Sequence, residues 1–131
     1  MEPDLTHRSP SQLLVVQRAS NRDQGWGLFN GREHLPRHTI LGEYFGKRLR
    51  EQDIPSDTQY VFHTSKGRID ARLESRNRMR LINHRNGALA NVMSREMKID
   101  GRIFIITKRR IAPYEEIFLN YGAAYWWGGI K

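Results

Sequence analysis

The chain has 131 residues and carries 22 Lys and Arg against 14 Asp and Glu, a formal net charge of +8. Hydrophobic residues at 38% and charged residues at 27% place it with globular proteins that bury a core, away from disordered tails. There is no cysteine, which excludes a disulfide framework, a thiol nucleophile and any cysteine-ligated zinc or iron-sulfur site; nor does any apolar run approach the roughly 20 residues of a membrane helix, so a soluble protein without membrane attachment is expected.

The charge is unevenly placed. Residues 1–65 hold eight basic and eight acidic side chains, and residues 66–131 hold fourteen and six, so the second half supplies the whole excess. Arg68, Arg72, Arg76 and Arg80 recur every four residues, with Arg78, Arg85 and the run Lys108-Arg109-Arg110 nearby. Such a cluster fits an electropositive face for DNA or another polyanion, and equally the solvated surface of a basic protein.

In chain order, the polar stretch 1–11 with Pro3 and Pro10 reads as a flexible leader, and residues 12–131 as one domain. Leu13 to Val16 predicts a strand, followed by a polar loop that ends in Gly25-Trp26-Gly27. A short aromatic strand is expected at Gly42 to Gly46, entered from Thr39-Ile40-Leu41, and others at Gln59 to His63 and Gly67 to Ala71. Ala71 to Ile82 could hold a helix, although it shows no clean apolar stripe. Arg102 to Thr107, rich in β-branched isoleucine, is the clearest strand. Pro113 predicts a turn into a last strand, Glu116 to Asn120. Many short strands joined by loops imply a mainly β fold.

Three segments carry chemical interest. Gly25-Trp26-Gly27 lets backbone approach a ligand beside a flat apolar wall; alone, it fits a structural turn better. Asn77 to His84 ends in adjacent Asn83 and His84, and Glu115 to Gly122 ends in Tyr121 beside a glycine. In this order, with Glu43-Tyr44-Phe45-Gly46 and Ile69-Asp70-Ala71 between them, the blocks resemble the SET-domain protein lysine methyltransferases from about Gln12 to Trp126, most closely the small stand-alone bacterial and viral members. Arg80-Leu81-Ile82-Asn83-His84 is similar to the family's Arg-Phe-Ile-Asn-His, and Glu115 to Gly122 to its Gly-Glu-Glu-Leu-x-x-x-Tyr-Gly. The sequence departs from the pattern after Asn83-His84, where a route two residues longer leads to Asn91. It also departs at the final turn, where Tyr114 stands in place of glycine and a type I turn is expected.

The resemblance implies a SET fold, several small β-sheets with short helices and a C-terminal pseudoknot. It implies methyl transfer from S-adenosylmethionine to a lysine amine without a metal. Tyr121, Tyr44 and Tyr60 match the catalytic and channel tyrosines, with Tyr125 as a further member of the cage. Gly25, Trp26, Gly27, Asn83 and His84 match cofactor-binding positions, and Trp126 is placed to stack on adenine. Leu119 stands where the family often has Phe or Tyr; lacking a hydroxyl to hold a restricting water, it implies that more than one methyl group can be added. Cysteine-rich flanking modules are missing, so the aromatic tail Tyr125-Trp126-Trp127 or a second subunit, in a homodimer, would close the channel.

The implied substrate is a histone or histone-like packaging protein. Because a +8 enzyme repels a basic peptide at long range, two readings stand. In one, Glu43, Glu51, Asp53 and Asp57 face the peptide while the arginine-rich half contacts DNA; in the other, the charge serves solubility or another acidic partner. The implied location is the cytoplasm of the source organism, or a host nucleus for a secreted or viral protein. Two alternatives remain, a small basic nucleic-acid-binding module using Trp26, Trp126 and Trp127 for stacking, and a SET fold that binds without turnover.

Overall fold

A computed structural model describes residues 14–53 and 60–120. Ten short strands form three sheets. Strands β1 (Val15–Arg18) and β2 (Trp26–Phe29) make an antiparallel pair. A five-stranded sheet has the order β3-β9-β8-β10-β7, built from β3 (Ile40–Tyr44), β7 (Asn83–His84), β8 (Val92–Glu96), β9 (Ile103–Thr107) and β10 (Phe118–Leu119). The third sheet, β4-β6-β5, comprises β4 (Lys47–Leu49), β5 (Val61–Thr64) and β6 (Gly67–Asp70).

Strand β9 organises the large sheet. All five of its residues are buried, which is why it reads as an unbroken apolar run and not as an alternating one. The core joins it to Leu28, Leu41, Tyr44, Phe62, Ile82 and Ile117. Tyr44 and Phe62 pack with ring centroids 5.1 Å apart at an interplanar angle of 46°, which couples the large sheet to the three-stranded one.

The topology departs from simple antiparallel pairing at the end of the described chain. Strand β10 lies between β7 and β8 and runs parallel to both, so the last strand is inserted between two elements that follow one another in sequence. Asn91, fully buried, secures it. Its Oδ1 accepts from the Phe118 N–H at 2.8 Å and its Nδ2 donates to the Glu116 carbonyl at 2.8 Å. The longer route from His84 to Asn91 contains a single 3-10 turn, Gly87–Leu89, and leaves Leu89 exposed.

Several expectations are corrected. The 71–82 segment forms no α-helix, only a 3-10 turn at Arg78–Leu81 whose buried residue is Met79; with no apolar stripe to bury, a longer helix has nothing to pack. Of the expected strand Leu13 to Val16, Leu13 lies outside the described residues and Leu14 is buried in the core ahead of β1, which starts at Val15 and continues to Arg18 with its side chains exposed. Strands β4 and β8 escape sequence reading: β4 is charged, and β8 mixes Val92 and Met93 with Ser94, Arg95 and Glu96.

The turn before β10 is also different from expectation. Tyr114 has φ +61°. The Ala112 carbonyl accepts from the Glu115 N–H at 3.2 Å, so Pro113 and Tyr114 occupy the centre of a turn with the type II pattern, where glycine is the ordinary third residue. The exposed tyrosine holds this conformation because its N–H is tied to the Gly31 carbonyl at 3.0 Å. A left-handed non-glycine residue costs about 1–2 kcal/mol, partly offset by the extra unfolded-state freedom of glycine. Tyr114→Gly is therefore expected to raise stability by about 0.5–1 kcal/mol and the melting temperature by roughly 2–4 °C, measured by thermal denaturation; a fall would show that the tyrosine side chain holds the turn.

Candidate functional site

The glycine segment turns where its residues require it. A 3-10 turn at Arg22–Gln24 is capped by the Asn21 side chain, which accepts from the Asp23 N–H at 3.0 Å. Gly25 follows with φ +68°, a left-handed residue that ends the turn, and β2 begins at Trp26. An open cleft of about 450 Å³ lies against this bend, lined by Arg18, Ala19, Ser20, Arg22 and Gly25. Trp26 is 53% exposed, with the Arg18 guanidinium 4.5 Å from its ring centroid, a cation-π contact that covers part of the indole.

Beneath the bend, Glu116 joins three segments. Its Oε1 accepts from the Ser20 N–H at 2.9 Å and the Ser20 hydroxyl at 2.6 Å, and its Oε2 accepts from Asn83 Nδ2 at 3.2 Å. The residue is 5% exposed. An N–H donor on each oxygen suits the acceptor-only carboxylate. Gly27 completes the packing: a Cβ there would overlap Glu116 Oε2 and stand 3.1 Å from Asn83 Nδ2. Sequence reading placed Glu116 within a motif and gave it no role. The signal it lacked is spatial, since Ser20 lies 96 residues away.

Asn83 is oriented by this arrangement. Nδ2 donates to the Trp26 carbonyl at 2.9 Å as well as to Glu116, which assigns the amide and turns Oδ1 away as an acceptor. Among the described residues no donor is recorded for that oxygen. Its neighbour His84 is held differently. The His84 carbonyl accepts from Gln24 Nε2 at 3.2 Å, and its Nε2 lies 2.9 Å from Asn86 Oδ1. Gly25, Trp26, Gly27, Asn83 and His84 thus converge around one bend.

The tyrosines divide. Tyr44 is 1% exposed and its hydroxyl donates to the Tyr60 carbonyl at 2.7 Å. Tyr60 is half-buried against the core, with the Arg80 guanidinium 5.6 Å from its ring centroid. Leu119 is buried in β10, paired with His84 and Val92. Tyr121, Tyr125, Trp126 and Trp127 lie outside the described residues.

The electropositive repeat is largely committed within the molecule. Arg76 pairs with Glu74 at 3.0 Å, Arg72 lies 3.9 Å from Asp70, Arg80 donates to the Glu74 carbonyl at 3.0 Å, and Arg78 donates to the Leu14 carbonyl. Two of the acids expected to meet a peptide are similarly engaged, Glu43 with Arg102 at 2.8 Å and Asp53 with Arg50 at 2.6 Å; Asp57 and the Glu51 side chain lie outside the described residues. The Glu43 hydrogen bond raises the Arg102 pKa against the opposing effect of burial. Near β10, burial pushes the Glu115 carboxyl up, but hydrogen bonds from Arg109, the Ala112 N–H and Asn91 outweigh it and hold the group below its ordinary range.

Glu116→Gln presents an amide N–H₂ to a donor that needs an acceptor. Leaving that donor unsatisfied is expected to cost about 1–3 kcal/mol. Ser20→Ala, which leaves the Ser20 N–H bond in place, is expected to cost no more than about 1 kcal/mol. Denaturant unfolding of both variants checks this order, and equal losses would contradict it.

The SET-domain family model matches residues 25–122. Histone-lysine N-methyltransferase trr of Drosophila melanogaster is 30% identical over 115 residues, 81% of this chain and 5% of that protein. Among solved structures, the Chaetomium thermophilum Polycomb Repressive Complex 2 bound to GSK126 superposes with a TM-score of 0.73 at 25% identity, over 86% of this chain and 16% of that one. ctPRC2 in an autoinhibited conformation bound to S-adenosylmethionine gives 0.66 at 25% identity, over 86% and 15%. The chain thus spans a small fraction of these relatives, and they do not bear on a bacterial or viral stand-alone type. Among the described residues no helix is long and apolar enough to cross a membrane. The family match extends over most of the chain, and with the mainly β architecture it identifies the protein as a member of the SET-domain family.

Proposed function

We propose that this domain transfers a methyl group from S-adenosylmethionine to a lysine side chain of a histone or histone-like DNA-packaging protein. The observation that carries this reading is the orientation of Asn83: its amide nitrogen is pinned by Trp26 and Glu116, leaving an acceptor oxygen beside the glycine bend, suited to a ligand ammonium group. The sulfonium complex of ctPRC2 and the fly histone-lysine methyltransferase support the same choice of cofactor and substrate class.

Bound there, the cofactor supplies an electrophilic methyl group. The chain's own task is to bind, orient and desolvate the partners. The Gly25 to Gly27 backbone admits the cofactor closely, Asn83 Oδ1 accepts from its ammonium group, and the Glu116 carboxylate favours a cationic ligand nearby. His84 adds main-chain contacts and Trp126 an adenine face. The target lysine must be neutral to attack, yet at pKa about 10.4 roughly one in a thousand is neutral near neutral pH. An apolar channel disfavours the charged form, and the Arg80 guanidinium over the Tyr60 ring acts in the same direction. Tyr44, whose hydroxyl is used by the Tyr60 carbonyl, holds the channel wall; Tyr60 and Tyr125 contact the amine stem, and Tyr121 orients the reacting centre.

Incubation with labelled S-adenosylmethionine and a histone panel is expected to label lysine, and Tyr121→Phe to lower turnover by at least about a hundredfold, the lower end of the usual contribution of a positioned acid–base side chain. Full activity in that variant would remove the catalytic assignment, and failure of S-adenosylmethionine to raise the melting temperature would favour a non-catalytic module. Leu119 leaves the channel without a restricting hydroxyl, so mass spectrometry at exhaustive turnover is expected to find di- or trimethyl-lysine. Monomethyl product alone would contradict it.

A further inference from the structure

We propose that the ribbon formed by segments 30–39 and 107–115 is a docking surface for the sugar-phosphate backbone of duplex DNA. Leu35 and Ile111 exchange both backbone hydrogen bonds at 2.9 Å, and after a turn at Arg37 and His38 the His38 N–H donates to the Thr107 carbonyl and the Thr107 N–H to the Thr39 carbonyl, each at 2.9 Å. These bonds hold Arg37, between Leu35 and His38, and Arg109 and Arg110, between Thr107 and Ile111, on adjoining segments. Leu35 and Ile111 are buried, whereas Arg32, Arg37, Arg109 and Arg110 are exposed. Five basic side chains (Arg32, Arg37, Lys108, Arg109, Arg110) minus two acidic ones (Glu33, Glu115) give the ribbon +3, before His34 and His38 are counted.

The disposition of partners separates this edge from the 68–80 repeat. Glu115 is bound by Arg109 at 2.6 Å, and Lys108 Nζ donates to the Gly87 carbonyl at 3.1 Å. For Arg32, Arg37 and Arg110, no carboxylate partner is recorded among the described residues. Like charges on adjoining segments repel, and an external polyanion relieves that repulsion while releasing its counterions. The exposed aromatic side chain on the ribbon is Tyr114, at the turn. One ring is a poor platform for successive unstacked bases, so the contacts suit phosphates, which position without reading sequence. The edge is also continuous with the proposed site, since the Asn30 N–H donates to the Glu115 carbonyl at 2.9 Å and Phe29 bridges Glu116. A substrate protein packaged on DNA would thus meet the enzyme through its DNA as well as through its lysine.

The test is binding of the full chain, without cofactor, to a labelled duplex of about 20 base pairs by fluorescence anisotropy between about 50 and 200 mM salt. Binding requires no turnover, so its outcome is separate from that of the methyl-transfer reading. The parent is expected to bind with a steep salt dependence. Arg37→Gln/Arg110→Gln is expected to weaken binding by tenfold or more at the lowest salt and to reduce the slope of log affinity against log salt by about 2. Arg72→Gln/Arg76→Gln, which removes internally paired arginines, is expected to change affinity less than twofold. Thermal melts verify that both variants fold, and Arg110→Ala alone, expected to reduce the slope by about 1, serves if the double variant does not. No parent binding at the lowest salt, equal affinity of parent and Arg37→Gln/Arg110→Gln, an equal or greater loss in Arg72→Gln/Arg76→Gln, or binding to polyglutamate as tight as to duplex would each overturn the proposal.

Discussion

Strand β10 is two residues long, and its capture between β7 and β8 is the constraint on which the rest of the structure depends. A strand so short has few ladder bonds of its own, so side chains supply the missing specificity. Asn91 bonds the backbone on both sides of Ile117, accepting from Phe118 and donating to the carbonyl of Glu116, while Arg85 N–H donates to the Leu119 carbonyl at 3.2 Å. The buried Ile117 side chain adds apolar packing. This insertion brings Glu116 below the glycine bend and Leu119 beside His84. The described residues of the proposed cofactor site therefore depend on contacts between segments that sequence distance separates.

The electrostatic consequence is less direct. A net charge of +8 in so short a chain suggests an open basic face, but much of the arginine content serves as structural donors. Guanidinium groups suit that work because their planar donors reach carbonyls and carboxylates without titrating. The Arg78 bond to the Leu14 carbonyl ties the start of the described chain to the 3-10 turn, and Arg48 donates to the Gly101 carbonyl at 2.9 Å. Charge that matters for recognition is the portion left after such uses. Regular spacing in sequence does not identify it, because in loops and 3-10 turns a four-residue repeat does not define one face.

How much was legible follows from this division. Strand β9 declared itself because burial on both faces makes composition and structure coincide, and the glycine bend did so because backbone geometry restricts residue choice. The ordered blocks of the site were read from their joint resemblance to the SET-domain family, since each block alone fits an ordinary structural role. Strands β4 and β8 were not, since Lys47, Arg48 and Arg95 are exposed and their strand identity comes from pairing with β6 and β9. The helix expected at 71–82 did not form because the segment carries no apolar stripe that a helix could bury. Glu116 was visible as a letter in a motif, while its role as a joint required the fold to bring Ser20 and Asn83 to it.

Two glycine positions of the family pattern show why some departures are compatible with the fold and others are not. Gly27 is retained at a place where a Cβ would meet a buried carboxylate oxygen and the amide that it orients. Neither neighbour can withdraw without breaking a hydrogen bond of the site, so any relief of the overlap disturbs the site itself. At the final turn the glycine is replaced by Tyr114, whose left-handed backbone costs energy but whose side chain extends into solvent and overlaps nothing that must stay fixed. The first constraint is one of space and acts on the geometry of the site; the second is one of backbone energy and acts on global stability. A substitution of the second kind is tolerated wherever the fold has about 1 kcal/mol to spare, because strain there is shared with the whole cooperative transition. Strain at Gly27 would instead be relieved locally, through the orientation of Asn83, and would reach function before it reached folding.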